Sequence, residues 1–175
     1  MTCILVPGNL VMPGTSPVSS ITRSPESRMP DSQGVIQFDP SSCRLCRACE
    51  LVCSLTHEGA CSLTLSRLHL STSIFDSHVE MAICRQCRRP RCVSVCPTQA
   101  ISIHAGVVLI DEALCVGCGD CVSACPFNAG GRVIFVPAAH AHAIKCDLCG
   151  GEPQCVQVCP TQALTLERDA GELYT

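Results

Sequence analysis

The sequence predicts an α+β fold of two pseudo-symmetric halves, built from short strands and helical turns around clustered cysteines. The first observation is that 18 of the 175 residues are cysteine, and most of them fall into four motifs of similar spacing. The second is that short segments of alternating apolar and polar residues separate the motifs, which is typical of strands. The third is that CVSVCPTQAISI at 92–103 and CVQVCPTQALTL at 155–166 share most positions, which indicates a duplicated unit.

The stretch from Cys84 to Cys125 contains two motifs that each end in Cys-Pro, with eighteen residues between Cys96 and Cys115. Two runs of this kind are typical of a ferredoxin with two [4Fe–4S] clusters. Three thiolates of each loop bind one cluster, and the fourth cysteine, one helical turn later, binds the neighbouring cluster. The proline then turns the chain away from the site, because it cannot continue the N–H ladder.

Four such motifs are present, and together they use sixteen of the 18 cysteines. Motif I contains Cys43, Cys46, Cys49 and Cys53; motif II contains Cys84, Cys87, Cys92 and Cys96; motif III contains Cys115, Cys118, Cys121 and Cys125; motif IV contains Cys146, Cys149, Cys155 and Cys159. Motif I has Ser54 in place of the proline, which leaves its ligand count unchanged. Cys3 and Cys61 remain; Cys61 is expected to be a small apolar filler, and neither is expected to bind iron.

Residues 1–37 are predicted to be a flexible or partner-binding tail, because residues 1–34 are rich in Pro, Ser and Gly and lack periodicity. A disordered tail is one interpretation, and a start of the protein at Met29 is another. A third is an arm that lies on a partner and is anchored by Ile4, Leu5, Val6, Leu10 and Val11.

Residues 38–175 are predicted to form the cluster-binding domain. Six short strands are expected within it, at 68–70, 79–83, 100–104, 107–111, 133–136 and 142–145. Ala105-Gly106 predicts a hairpin turn between the third and the fourth of these strands. His140 and His142 alternate near the last strand and are expected to be surface residues rather than metal ligands.

The abundance of cysteine, without an evident secretory signal, favours metal binding in a reducing cytoplasm over a disulfide scaffold. The first residues are apolar but lack a basic region, and no apolar run reaches the roughly 18 residues of a membrane-spanning helix. Zinc is the rival metal, but structural zinc sites do not require a third cysteine two residues after a knuckle. A net charge of −3 gives no indication of a nucleic-acid partner.

No residue pattern indicates a catalytic centre, so the chain is expected to carry electrons rather than to act as an enzyme. It contains no Gly-rich phosphate loop, nucleophile elbow or paired carboxylates beside a base. Arginines gather at motif II, at Arg85, Arg88, Arg89 and Arg91. They either raise the potential of the nearest cluster or dock an acidic partner, or they form a solvated face that offsets cluster charge.

From about Phe38 to about Leu166 the chain resembles the four-cluster electron-transfer subunits that accompany large oxidoreductases. The resemblance implies two ferredoxin-like halves that each hold two [4Fe–4S] clusters, the inner half at about 82–137 and the outer half at about 38–81 plus 138–175. It also implies that motif II pairs with III, which the eighteen-residue gap supports, and that motif I pairs with IV. The implied ligand sets are Cys84, Cys87, Cys92 and Cys125; Cys115, Cys118, Cys121 and Cys96; Cys43, Cys46, Cys49 and Cys159; and Cys146, Cys149, Cys155 and Cys53.

Two segments, CELVCSLTHEGACSLTLSRL at 49–68 and KCDLCGGEPQCVQVCP at 145–160, resemble the iron–sulfur subunit of tungsten-dependent aldehyde oxidoreductases and a related subunit of benzoyl-CoA reductase complexes. This implies a subunit that carries single electrons between a large pterin-metal catalytic subunit and another redox partner, for which a flavin-containing subunit is a candidate. Two alternatives stay open: a subunit of a carbon monoxide dehydrogenase or hydrogenase complex, and a free soluble polyferredoxin. His57 and Glu58 match the first segment, but the sequence assigns them no role beyond a cap or turn.

Overall fold

Short antiparallel strand pairs and short helices make up the fold, in agreement with the predicted α+β class. The computed structural model describes residues 34–72, 78–128 and 130–168, and the backbone of two strands at 4–6 and 9–11. Its strands are β1 (Ile4–Val6), β2 (Asn9–Val11), β3 (Val35–Phe38), β4 (Leu68–Thr72), β5 (Val79–Ile83), β6 (Ile101–His104), β7 (Val107–Ile110), β8 (Ile134–Phe135), β9 (Ile144–Lys145) and β10 (Leu164–Glu167). Its helices are α1 (Ala48–Glu58), α2 (Arg91–Ser94), α3 (Asp120–Ala124) and α4 (Gln154–Val158), with a 3₁₀ turn at Leu148–Gly151.

The two ends of the described domain are joined by a strand pair that the sequence patterns do not predict. β3 pairs antiparallel with β10, and Val35 lies opposite Glu167. Val35 and Ile36 are buried, and Ile36 belongs to an apolar core. The folded domain therefore begins before residue 38. The predicted boundary after residue 37 is placed too late, because the last residues of the supposed tail form this strand.

The N-terminal tail contributes one described feature. β1 pairs antiparallel with β2, with Ile4 opposite Val11 along the backbone. The side chains expected to anchor a partner, Cys3 and the alternative start at Met29 lie outside the described residues. The three interpretations of the tail therefore stay predictions.

All six strands expected between the motifs are present, and they form three antiparallel pairs. β4 pairs with β5, β6 with β7, and β8 with β9. The β6–β7 turn consists of Ala105 at φ 47° and Gly106 at φ 77°. Positive φ at both central residues matches the right-handed twist of the flanking strands, and the predicted hairpin is confirmed.

The loop between β8 and β9 changes the interpretation of two histidines. Both strands are two residues long, so His140 and His142 lie in the loop and not on a strand. His140 Nε2 is 3.1 Å from Glu58 Oε2, and His142 Nε2 is 3.7 Å from Glu112 Oε1. The two histidines are therefore half-buried neighbours of carboxylates and not freely exposed strand residues.

Proline after the fourth cysteine sets the length of the helix in each motif. The helices α2, α3 and α4 are four or five residues long, and each ends before its Cys-Pro. Motif I has Ser54 instead of proline. Helix α1 is eleven residues long and continues past Cys53 to Glu58. Helix α1 ends at Gly59, whose φ of 68° allows its N–H to bond to the carbonyl of Leu55. Because proline clashes with the preceding turn of a helix, its absence accounts for the longer helix.

Two apolar cores lie beneath these elements. The first includes Ile36, Leu68 and Ile83, with cysteines of motifs I and IV. The second includes Ile101 and Ile134, with cysteines of motifs II and III. Full burial of one such side chain contributes roughly 1.5–3 kcal/mol relative to exposure. The cores do not divide at the predicted boundary of the halves, because Val107 of the expected inner half belongs to the first core and Ala143 of the expected outer half belongs to the second. β9 of the expected outer half also pairs with β8 of the expected inner half. The two pseudo-symmetric halves stay a prediction.

Candidate iron–sulfur sites

All four motifs share one backbone feature. The second residue after the first cysteine has a positive φ in each: 55° at Leu45, 49° at Gln86, 65° at Gly117 and 60° at Leu148. A left-handed residue of this kind turns successive N–H groups to one side and makes a hollow that favours anions. In motif I the N–H of Leu45 lies 3.5 Å from Cys43 Sγ. The four loops thus share the backbone turn of such a hollow, and in motif I an N–H of the loop reaches a cysteine sulfur.

Motif III requires glycine at this position because of a close contact with the backbone of another segment. A Cβ on Gly117 would lie 2.5 Å from the carbonyl oxygen of Ala141, which is closer than real side chains come to backbone. Gly119, at φ 83°, then occupies the position before α3. Gly117 thus lets this loop pass close to the segment between β8 and β9, whereas at Gly119 only the positive φ favours glycine.

One cavity is lined by Cys84, Cys87 and Cys92 of motif II and by Cys125 of motif III. Burial raises the pKa of Cys92 to about 11, and the neighbouring charge of Cys84 acts in the same direction. Burial is also the largest cause of the raised pKa of Cys87, and the charges of Cys84 and Cys125 raise it further. Lys145 lines the cavity as well, and its positive charge opposes both increases. The structure therefore brings together the members of the first implied ligand set.

A second cavity is lined by Cys43, Cys46 and Cys49 of motif I and by Cys159 of motif IV. Burial raises the pKa of Cys49 to about 12, and the carboxylate of Glu50 is the next cause. Cys46 is exposed, whereas Cys49 is buried. This cavity brings together another implied set, and one of its cysteines lies at the surface.

The cysteines of motif IV lie close to Cys53 of motif I. Burial raises the pKa of Cys155 to about 12, and the charges of Cys53 and Cys149 are the next causes. Cys146 is buried, and burial raises its pKa well above the ordinary value for a thiol. Cys53, Cys146 and Cys155 all belong to the first apolar core. The fourth cysteine of motif I is thus placed beside motif IV, as the resemblance implies.

In motif III the pKa of Cys121 is raised to about 11. Burial is the largest cause, and the charges of Cys115 and Cys118 act in the same direction. The implied fourth member, Cys96, packs in the same apolar core as Cys115 and Cys121. Slight burial acts to raise the pKa of Cys96, but hydrogen bonds with Thr98 and the backbone outweigh it and lower the pKa. Cys96 is therefore linked to motif III through the shared core and not through neighbouring thiolate charges.

The chemistry of these sites fits iron–sulfur clusters. The seventeen cysteines in the described part of the chain are free thiols. Burial makes an isolated thiolate costly, whereas a metal-bound thiol loses its proton outright. Soft thiolate donors select iron–sulfur clusters, zinc or copper(I), and a fourth cysteine supplied by a second motif is typical of paired iron–sulfur clusters.

Cys61 lies apart from these sites. It is half-buried and follows α1, and it lines neither of the two four-cysteine cavities. Its role as a small apolar filler stays a prediction, as does that of Cys3, which lies outside the described residues.

The arginines of motif II divide between the surface and the cavity wall. Arg88, Arg89 and Arg91 are exposed, and Arg85 is half-buried. Arg85 and Arg91 line the cavity that contains Cys84. This position is compatible with both interpretations of the cluster of arginines, so both stay open.

Two buried polar residues, which no sequence pattern singles out, join the two cores. Gln86 accepts a hydrogen bond from the N–H of Val108 at 3.0 Å and donates one to the carbonyl of Cys146 at 2.9 Å. Lys145 Nζ donates to the carbonyls of Val108 and Cys146. The sequence contains one signal for this site, since Lys145 is the single lysine of the chain and directly precedes motif IV.

At the end of α1, His57 and Glu58 take part in a polar network. His57 Nε2 is 3.4 Å from Asp147 Oδ1 and 3.6 Å from Cys149 Sγ. Burial lowers the pKa of His57, and the carboxylate of Asp147 opposes this effect. Arg67 lies 3.2 Å from Asp147 Oδ2 and 3.9 Å from Glu58 Oε1. These contacts replace the expectation of a simple cap or turn. The side chain of His57 reaches motif IV, and that of Glu58 reaches Arg67, which itself contacts Asp147.

The strand pairs, helices and thiol sites define a protein of the iron–sulfur ferredoxin class. The chain belongs to the 4Fe-4S dicluster domain family, whose model matches residues 75–169. That range contains motifs II, III and IV, and a dicluster domain accounts for two clusters. Across the described ranges, no helix combines the length and the apolar character needed to cross a bilayer.

Relatives of the chain include a polyferredoxin-like subunit and a named electron transport protein. A polyferredoxin-like subunit of aliphatic sulfonate oxidoreductase from Pyrococcus furiosus is 40% identical over 126 residues, which cover 71% of this chain and 70% of that protein. The electron transport protein HydN of Escherichia coli is 37% identical over 147 residues, which cover 72% of this chain and 83% of HydN. Among solved structures, a chain of the benzoyl coenzyme A reductase complex BamBC is less similar, with 24% identity and a TM-score of 0.47. The match covers 77% of this chain and 78% of that chain. The family and the two curated relatives make this chain an iron–sulfur protein of the electron-transfer type.

Proposed function

We propose that the chain carries single electrons through four [4Fe–4S] clusters as a non-catalytic subunit of an oxidoreductase complex. One observation carries the proposal: each of two cavities is lined by three cysteines of one motif and by the fourth cysteine of another. This crossed supply of ligands is typical of paired clusters in ferredoxins. The proximity of Cys53 to Cys149 and Cys155 supports the same arrangement for a further pair of motifs.

Four ligand sets follow from this arrangement, two in each pseudo-symmetric half. The inner half would use Cys84, Cys87, Cys92 and Cys125 for one cluster and Cys115, Cys118, Cys121 and Cys96 for the other. The outer half would use Cys43, Cys46, Cys49 and Cys159 for one cluster and Cys146, Cys149, Cys155 and Cys53 for the other. Each cluster would supply one-electron exchange when bound.

The residues of the chain determine where electrons enter, and they exclude substrate and water from the cluster sites. Every proposed set contains four cysteines, so no position in it is left for a substrate. Buried cysteines such as Cys49 and Cys155 lie among apolar side chains that exclude water from the sites. Cys46 and Cys118 are exposed, which makes motifs I and III the proposed contact points for redox partners.

The proposed catalytic partner is a large subunit with a pterin-bound metal, of the tungsten aldehyde oxidoreductase type. Its basis is the resemblance of residues 49–68 to the iron–sulfur subunit of those enzymes. The Pyrococcus relative, a polyferredoxin-like subunit of another oxidoreductase, supports a role as a subunit. A flavin-containing subunit is proposed as the second redox partner.

A free polyferredoxin is the second candidate function. HydN is named as an electron transport protein rather than as a subunit, and this chain covers 83% of it. Two exposed cysteines on separate motifs would also suit exchange with diffusing partners.

Anaerobic purification of the tagged chain from its own host separates the two candidates. We expect a large subunit to co-purify in a fixed ratio, together with tungsten or molybdenum and a pterin. The complex should reduce a flavin or dye with an aldehyde, whereas the isolated chain should accept electrons from dithionite and oxidise no aldehyde. A chain that purifies alone and exchanges electrons with several soluble enzymes would favour the free carrier. Aldehyde oxidation by the isolated, pterin-free chain would overturn both.

A further inference from the structure

Lys145 is a buried cation in a chain that otherwise uses arginine. The chain has 12 basic residues of which this is the single lysine, and it is 3% exposed. Its ammonium donates to the carbonyl oxygens of Val108 and Cys146. Gln86 bonds to the N–H of Val108 and to the same carbonyl of Cys146. Two side chains therefore hold the same two backbone segments, which fixes the position of the ammonium.

This ammonium has no carboxylate partner within the described ranges. The ion pairs formed there involve arginine and histidine side chains and do not include Lys145. Arg67, by contrast, lies within reach of Asp147, Glu58 and Glu112. Carbonyl oxygens satisfy hydrogen bonds but carry no net charge. A buried charge without an opposite charge is costly, so the position of Lys145 calls for an anion.

The cavity beside Lys145 is where that anion would lie. Lys145 lines the cavity together with Cys84, Cys87, Cys92 and Cys125. By formal counting, a [4Fe–4S] cluster with four thiolates carries about −2 when oxidised and gains a further negative charge on reduction. Arg85 and Arg91 line the same cavity, but Arg91 is exposed and Arg85 is only half-buried, so water and salt screen their charges more than that of the buried Lys145. The charge of Lys145 acts through a much less polar medium.

We infer that Lys145 is the internal counter-ion of the cluster held by Cys84, Cys87, Cys92 and Cys125, and that its fixed charge raises the reduction potential of this cluster. The inference rests on that proposed ligand set but not on the identity of any partner protein. Reduction adds an electron beside a buried positive charge, which stabilises the reduced state. Lys145 directly precedes Cys146, and its charge also acts on that thiol of the outer half.

Potentials of the purified full-length chain test this directly. Lys145→Gln removes the charge and keeps a donor, and Arg91→Gln is the matched control on the same cavity. Both are titrated anaerobically against wild type by EPR, and Cys125→Ser identifies the signal of the cluster concerned. We expect Lys145→Gln to lower the potential of that one cluster, and to lower it more than Arg91→Gln does. An unchanged potential, or a shift no larger than that of the control, would overturn the inference while leaving the electron-transfer role intact.

Assembly provides a second measurement where Lys145→Gln does not load its clusters. Lys145→Arg retains the positive charge with a different donor geometry. Recovery of the wild-type iron content by Lys145→Arg and not by Lys145→Gln would support the counter-ion role. Failure of both variants to load would mean that the shape of the donor, and not its charge, is required, and would contradict the inference.

Discussion

The Nε2 atom of His57 lies 3.6 Å from the Sγ atom of Cys149, although 92 positions separate the two residues in the sequence. Helix α1 carries His57 to this place because it continues past Cys53, where the helices of the other motifs end. Asp147 lies beside the same imidazole nitrogen. A histidine thus contacts a cysteine of the set proposed to hold the motif IV cluster.

Replacing His57 by leucine should lower the potential of one cluster without loss of iron. Hydrogen bonds to ligand sulfurs are among the features that set cluster potentials, and leucine removes this one while retaining an apolar side chain. The measurement is an anaerobic EPR titration together with an iron assay. His104→Leu, at the exposed end of β6, is the control and should leave all potentials unchanged. Equal potentials in His57→Leu and wild type would rule out a role for the contact.

Ser54→Pro should destabilise the protein, although it restores the Cys-Pro pattern of the other three motifs. Proline inside a helix costs about 3 kcal/mol or more, and position 54 lies within α1. The variant also loses the Ser54 hydroxyl, which donates to the carbonyl of Leu51 and accepts from the N–H of Ser62. We expect faster loss of the cluster absorbance in denaturant than in wild type.

Ser54→Ala is the matched control for this variant. It removes the same hydroxyl but keeps the helix, so its cost should be roughly 1–3 kcal/mol for the unsatisfied N–H. A Ser54→Pro variant as stable as Ser54→Ala would show that α1 does not depend on the missing proline.

The purified chain should contain about sixteen irons and sixteen acid-labile sulfides, as four [4Fe–4S] clusters require. Four motifs with four cysteines each are the reason for this number. Iron and sulfide assays on protein prepared without oxygen would measure it. About half of this iron would agree with a single dicluster domain, and stoichiometric zinc would contradict the assignment of the metal.

Single cysteine substitutions should separate ligands from the remaining thiols. Cys96→Ser should damage the cluster of motif III, and Cys125→Ser that of motif II, because the fourth cysteine is supplied across motifs. Cys61→Ser and Cys3→Ser should leave the iron content unchanged. EPR signals and iron content of the four variants, compared with wild type, give the answer. A cluster lost in Cys61→Ser would mean that this residue, and not a motif cysteine, completes one of the sites.

The local elements of the fold could be predicted because their causes act over a few residues. Alternating side chains and the Ala105-Gly106 turn suffice for the β6–β7 hairpin. β3 was not found in this way, because Val35–Phe38 directly follows a segment rich in Pro, Ser and Gly that predicts a tail. That strand is stabilised by pairing with β10, which lies at the other end of the domain.

The functional residues divide in the same manner. Cysteine spacing predicts the loops, since the same left-handed residue recurs in all four. The histidine beside Cys149 was visible as part of a motif, but without a role. Gln86 could not be recognised, and the sequence singles out Lys145 only as the one lysine of the chain, because a buried polar residue is identified by its surroundings and not by its neighbours in sequence.

The sequence by itself determined the donor atoms, their grouping into four loops and the class of cofactor they suit. These properties depend on residue type and on spacing over about one helical turn. Only the tertiary structure decided that Cys125 lies in the cavity of motif II, that Cys159 lies in that of motif I, and that Lys145 is buried beside the former. The physical reason is that such contacts join residues far apart in the chain, so they form only when both apolar cores are packed.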